Sequence, residues 1–224
     1  MKRVIVTGSE SGLGAALVTA LEAAGHTVYG YDHNNGDNVK NPAPWLADLP
    51  VVDVLINCAG INANCWFEEV REDDFFNMMD VNAFSMVRMV QAVLPQLKES
   101  RGTVINIVSN AAHIPMTSSL AYNASKAAAL MITRQMAHEL TPKYGITVFS
   151  VSPNKLQGTG MSRQIEASVC RVRGWTPEFA ADYQRKALMH GLETPPETVA
   201  HLITNLITTG DDLYMSGVDI PVGK

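Results

Sequence analysis

The chain has 224 residues, 46% hydrophobic and 17% charged, which excludes a disordered chain and allows a core that needs no disulfide or metal staple. The net charge is −5, from 17 Lys and Arg against 22 Asp and Glu, and no basic stripe is present to meet a nucleic-acid backbone. No stretch approaches the roughly 18 apolar residues of a membrane helix. The three cysteines (Cys58, Cys65, Cys170) lack CxxC spacing and read as free thiols of a cytoplasmic protein.

Residues 2–6 predict a strand; this Val4-Ile5-Val6 run is too short for a secretory signal despite the preceding Lys2-Arg3. A helix follows over 13–24, stopped by Gly25, then strands over 27–31 and 51–57. Residues 72–98 read as one long helix with Pro95 near its end. A strand over 103–109, a helix over 121–140 and a strand over 146–151 come next. Residues 154–193 are irregular and helical by turns, and a helix over 198–208 and a strand over 214–222 close the chain. Strands alternating with helices predict an α/β fold, a doubly wound parallel sheet of Rossmann-like form with helices on both faces. The segment 32–49 is too short for a full crossover helix. Any strand in it is brief, around residues 38–40, so the sheet is expected to be trimmed there.

Thr7-Gly8-Ser9-Glu10-Ser11-Gly12-Leu13-Gly14 joins the first strand to the first helix. Glycines allow close backbone approach, and the helix N-terminus offers N–H groups to a pyrophosphate. The spacing is G-x-x-x-G-x-G and not G-x-G-x-x-G, so a plain βα turn is the other reading. Asp32 ends the second strand, where a carboxylate can accept from ribose hydroxyls and repel a 2′-phosphate. Glu10 adds to that repulsion, which favours NAD(H) over NADP(H); alternatively, Asp32 is a turn residue. Asn57-Cys58-Ala59-Gly60 offers small residues past which a cofactor can run, with Cys58 a small buried residue and not a nucleophile.

Of six tyrosines, only Tyr122 has a lysine four residues on, Lys126. On a helix the two share a face, and an ammonium beside a phenol lowers the phenol pKa. The pair alone is a weak motif. It gains weight from Ser109, thirteen residues earlier at a strand end, where a hydroxyl can hold a carbonyl while Tyr122 donates its proton.

With these residues in order, the chain resembles the short-chain dehydrogenase/reductase family from Lys2 to about Val222. Thr7 to Gly14 matches its TGxxxGxG loop, and Asn57 to Gly60 its NNAG motif with Cys58 for the second Asn. Ser109, Tyr122 and Lys126 match its catalytic serine and YxxxK, and Asn82 its fourth catalytic residue. The resemblance implies a single dinucleotide-binding domain over 1–224 with a substrate lid at about 154–193. It implies an NAD(H)-dependent oxidoreductase interconverting a secondary alcohol and a ketone. Tyr122 is then the general acid or base, Ser109 holds the carbonyl oxygen, Lys126 binds the nicotinamide ribose, and Asn82 positions a relaying water. The cofactor contacts implied are Gly8, Ser11, Gly12, Leu13, Gly14, Asp32, Asp37, Asn38, Val39, Asn57, Ala59, Gly60, Tyr122, Lys126, Pro153, Asn154 and Leu156. A homodimer or homotetramer follows by the same resemblance. Two departures stand out. The family's Pro-Gly is Pro153-Asn154 here, with Asn154 expected to keep the turn by tolerating left-handed backbone. Its Thr-x-Met is Thr159-Gly160-Met161, one residue late. The C-terminal end is reduced to Pro221-Val222-Gly223-Lys224.

The substrate pocket falls to residues 110–120 and 155–193. His113 is a substrate donor or a loop residue facing water. Arg171 and Arg173 clamp a carboxylate or phosphate, or lie on a solvated face. Trp175 covers an apolar part of the substrate or packs within the lid. Met78, Met79, Met86 and Met89 read as core or subunit-interface packing. The six histidines have no metal-binding spacing. Two rival readings differ in class. One is an NAD(H)-binding regulator with weak catalysis. The other is a hydrolase using Glu68-Glu69 or Asp73-Asp74, whose adjacent carboxylates diverge on a helix.

Overall fold

Aliphatic and β-branched runs form β1 (Arg3–Thr7), β2 (Thr27–Tyr31), β3 (Val54–Asn57), β4 (Thr103–Ile107), β5 (Thr147–Pro153) and β6 (Asp219–Val222) in the computed structural model. The helices are α1 (Gly12–Ala23), α2 (Glu72–Met79), α3 (Ser85–Ala92), α4 (Leu94–Ser100), α5 (Leu120–Tyr144), α6 (Gly160–Arg173), α7 (Pro177–Ala187) and α8 (Pro196–Thr209). The structure describes residues 1–188 and 190–223; Met189 of the predicted lid and Lys224 of the predicted C-terminal end lie outside the described residues. No helix among the described residues is long and apolar enough to cross a membrane.

The strands pair in parallel in the order β2-β1-β3-β4-β5-β6. The chain winds outward from β1 to β2, then returns to β1's other side as β3. The connections leave the sheet in opposite directions there, opening a crevice at the strands' C-terminal ends. Side chains alternate faces with a period of two. Val4, Val6, Ile56 and Phe149 pack under Leu17 and Leu21 of α1 and Ile203 of α8. Ile5, Leu55, Val104 and Val148 pack under Met89 and Val90 of α3, Leu97 of α4 and Ala137 of α5. Both faces are therefore covered, which is why the strands read as unbroken apolar runs.

The sheet is trimmed as expected: residues 38–40 form no strand, and β2 is the sheet edge. Residues 33–49 wrap the buried Tyr31 instead. Its hydroxyl donates to the Asn38 carbonyl at 3.2 Å and accepts from the Ala43 amide at 2.9 Å. Trp45 stacks obliquely on its ring, centroids 5.8 Å apart. Gln96 holds this coil to α4 by donating to the Leu46, Ala47 and Leu49 carbonyls.

The long helix expected over 72–98 is broken twice. A π-helical turn, Asp80–Phe84, separates α2 from α3. At Val93 the backbone leaves helical angles (φ −116°, ψ 17°). Pro95 explains the second break, because it lacks an N–H and its ring crowds the preceding turn. The first break rotates Asn82 inward.

Candidate active site

The loop after β1 closes on itself. A Cβ on Gly14 would lie 1.9 Å from the Gly8 carbonyl oxygen, and Gly8 and Gly12 sit at φ +69° and +52°. Thr7 Oγ1 accepts from the Cys58 and Ala59 amides at 2.9 and 3.0 Å, joining this loop to the one after β3. Ser11 begins α1 in extended backbone and makes no side-chain capping bond. The first N–H groups of α1 are therefore available to an anion in the crevice. At the end of β2, the buried Asp32 carboxylate accepts from the Glu10 amide at 3.1 Å and the Asn34 amide at 3.0 Å. Asp37 is oriented by the Trp45 indole N–H at 3.0 Å.

Across the crevice, Ser109 follows β4, its Oγ accepting from the Ala111 amide at 3.2 Å. Tyr122 and Lys126 share one face of α5 and are buried. The Lys126 ammonium donates to the Ile107 carbonyl at 3.0 Å and stands 5.8 Å from the Tyr122 ring centroid. Burial lowers the Lys126 pKa from 10.5 to about 8. It raises that of Tyr122, against a hydrogen bond from Ser109 that pulls it down. From the i,i+4 spacing, Lys126 is expected to depress the tyrosine. In this environment desolvation of the phenolate outweighs any such effect. Asn82 is fully buried on its π-helical turn. Its amide grips both backbone groups of Ile61, accepting from the N–H at 2.8 Å and donating to the C=O at 2.9 Å. It also donates to Ser125 Oγ at 3.0 Å.

The glycine loop, Asp32, Asp37, Ser109, Tyr122 and Lys126 open on one cleft of about 730 Å³, roofed by α6 and α7, whereas Asn82 lies behind its wall and does not line it. Every residue predicted to touch the cofactor lines it except Asn57, which lies beneath and donates to Asn106 Oδ1 at 2.8 Å. The roof is latched at several points, two of them through Trp66 and Gln164. Trp66 Nε1 donates to the Val172 carbonyl at 2.8 Å, and Gln164 donates to the Asn62 carbonyl at 3.2 Å.

Residues 43–169 match the family model described as short chain dehydrogenase. The chain belongs to the short-chain dehydrogenase/reductase family. It is an oxidoreductase of alcohol and ketone substrates, and its family uses a nicotinamide dinucleotide. It is 29% identical to sorbitol-6-phosphate 2-dehydrogenase of Klebsiella pneumoniae, over 96% of this chain and 92% of that one. Its fold matches an actinorhodin polyketide ketoreductase solved with NADPH, at TM-score 0.87 and 22% identity over 99% and 95% of the two chains. It also matches a 4-hydroxyisoleucine dehydrogenase solved with NADH, at TM-score 0.85 and 21% identity over 99% and 97%.

Within this short-chain dehydrogenase/reductase, several predicted residues are placed otherwise than expected. His113 does not line the cleft; its Nε2 pairs with Asp219 of β6 at 2.8 Å. Asp219 also accepts from Ser150 at 2.5 Å and Ser152 at 2.8 Å, so the ring is drawn to the sheet edge and away from substrate. Asn154 is not left-handed. Its side chain donates to the Gly223 carbonyl at 3.1 Å and its amide to the Val222 carbonyl at 2.8 Å, fastening the loop after β5 to the end of β6. Thr159 caps α6, accepting from the Ser162 amide at 3.0 Å, and its methyl faces Gly12. Arg173 and Trp175 line the cleft, whereas Arg171 is exposed and does not. Burial pushes the Cys58 thiol up to about 12, so it carries no thiolate at neutral pH. Sequence reasoning missed Asn62 and Asn64, which border the cleft, and Asp219. The Asn-x-Asn following Gly60 was the available signal for the first two; Asp219 had none.

Proposed function

We propose that the protein is an NAD(H)-dependent dehydrogenase/reductase that interconverts a secondary alcohol and a ketone, with residues 1–224 acting as one cofactor-binding domain under a lid at 154–193. The carrying observation is the meeting of Ser109, Tyr122 and Lys126 in the cleft that the glycine loop and Asp32 also line. The residues present fit a dinucleotide. The uncapped start of α1 takes the pyrophosphate, Asp32 the adenosine ribose, and Asp37, Asn38 and Val39 the adenine side. Ala59 and Gly60 form the floor, where a Cβ on Gly60 would crowd Asn82 and Lys126 at 3.3 and 3.7 Å. Pro153, Asn154 and Leu156 border the nicotinamide side. When bound, the nicotinamide supplies or accepts hydride.

The chain's own residues move the proton. For reduction, Ser109 donates to the carbonyl oxygen, and the buried Tyr122, protonated at neutral pH, transfers its phenolic proton as negative charge develops. The Lys126 ammonium stands behind the ring to stabilise the phenolate that results. Asn82 fixes the turn after Gly60 and so positions Lys126. Oxidation runs the same path in reverse. The Asp32 carboxylate and Glu10 oppose a 2′-phosphate, and like charges held together cost several kcal/mol. The three free cysteines fit a cytoplasmic setting. Phe76, Phe84 and Met131, exposed on α2, the π-helical turn and α5, fit a homodimer or homotetramer interface.

Nicotinamide absorbance during turnover tests this reading with alcohols plus NAD and ketones plus NADH. Tyr122→Phe is expected to lose ~10²–10⁴-fold in kcat while still binding NADH. NADPH is expected to bind at least ~100-fold more weakly than NADH. NADH binding without turnover of any alcohol or ketone would favour the regulatory reading instead.

A further inference from the structure

The substrate half of the cleft holds a guanidinium that no carboxylate answers among the described residues. Arg173, the last residue of α6, donates from Nε to Ser118 Oγ at 3.1 Å and from Nη2 to the Thr117 carbonyl. The Trp175 ring lies under it, 4.8 Å from the guanidinium carbon. These contacts fix the planar fork through Nε and Nη2, and Nη1 has no hydrogen-bond partner among the described residues. Burial disfavours its charge, and Tyr183 is the one titratable neighbour that acts on it among the described residues. Lys155, on the same wall, is fully answered by Glu166 at 2.7 Å and Glu193 at 2.5 Å.

A second observation lies beside it. Asn64 is 8% exposed, and its Nδ2 donates to the Ser118 carbonyl at 3.2 Å and Ser119 Oγ at 2.8 Å. Ser119 in turn gives its own proton to the Thr117 carbonyl at 3.3 Å, so the amide has one orientation. Asn64 Oδ1 is left buried without a donor, as is Asn62 Oδ1. Both residues border the cleft, but their oxygens are shielded from it, and Asn64 braces Ser118, which in turn holds Arg173. Ser118, which joins Arg173 to Asn64, sits at φ +56°, a left-handed conformation that a serine adopts at a cost.

We propose that Arg173 forms a subsite for an anionic substrate. A carboxylate or phosphate pairs with the guanidinium, and an uncharged ketone leaves it unpaired as water is expelled. The substrate class is therefore an alcohol or ketone that also carries a carboxylate or phosphate. This assignment rests on the oxidoreductase reading above.

Calorimetric titration of the NADH-loaded protein tests it, because an alcohol forms a non-reacting complex with NADH. The probes are D-gluconate, D-sorbitol 6-phosphate and uncharged D-sorbitol. The expected result is at least ~10-fold tighter binding of one charged probe than of D-sorbitol. Which charged probe binds distinguishes carboxylate from phosphate. Arg173→Met is expected to weaken that probe ~10–100-fold and to leave D-sorbitol within about threefold. Trp66→Phe, which loosens the roof without changing charge, is expected to affect charged and uncharged probes alike. The proposal is overturned if neither charged probe outbinds D-sorbitol, or if Arg173→Met leaves the charged probe unaffected. It is also overturned if Trp66→Phe reproduces the Arg173→Met pattern. Charge-selective binding without turnover would instead count against the dehydrogenase reading and leave the subsite standing.

Discussion

Lys126 keeps an ammonium where water is nearly absent, with a single carbonyl as its hydrogen-bond partner. Its pKa falls from 10.5 to about 8, so below pH 8 the folded protein carries a destabilising charge of about 3 kcal/mol. Between pH 8 and 10.5 the unfolded chain binds the extra proton, so this penalty fades as pH rises through that window. Lys126→Met removes it but orphans the Ile107 carbonyl, at about 1 kcal/mol. The variant is therefore expected to be inactive yet about 2 kcal/mol more stable at pH 7, with Tm higher by about 4–8 °C. Calorimetric scans at pH 7 and pH 10 should show that advantage shrinking at the higher pH; a constant difference would locate the lysine's effect elsewhere. The pair itself was legible in sequence, because i,i+4 spacing on a helix is local. The direction of the Tyr122 shift was not, because desolvation depends on what α5 packs against.

At the scale of elements, the segment from α2 to α4 shows where reading stopped. Pro95 announces its break by its own chemistry. The π-helical turn does not: one extra residue in a turn leaves no mark in composition, and the apolar pattern runs on through it. That extra residue aims Asn82 at Ile61. Asn82→Ala is expected to cost about 2–4 kcal/mol, since it leaves the Ile61 N–H and C=O without partners. Urea unfolding measures it, and an unchanged midpoint would mean that α2 and α3 hold the loop without this clamp. The trimmed edge was equally half-legible. The shortness of segment 32–49 excluded a crossover helix, but its choice of a coil around Tyr31 over a brief strand depended on Trp45 folding back onto that ring and on Gln96 arriving from α4.

For the whole molecule, the proposed subunit interface is placed on Phe76, Phe84 and Met131, which are exposed on α2, the π-helical turn and α5. Phe84→Glu is expected to shift the protein from a dimer or tetramer to a monomer in sedimentation velocity; a monomeric wild type would overturn the interface. The alternation of strands and helices and the glycine loop were readable because each rests on short-range spacing. What escaped reading were partners distant in the chain, and Asp219 is the clearest. From β6 it draws in Ser150, Ser152 and His113, while Val222 and Gly223 hold the Asn154 loop. This has a consequence for birth on the ribosome. At roughly 5–20 residues per second, the stretch from Tyr122 to Asp219 takes roughly 5–20 s to synthesise. Through that interval the nascent chain already carries its serine, tyrosine and lysine. The clasp that sets the loops around them does not yet exist.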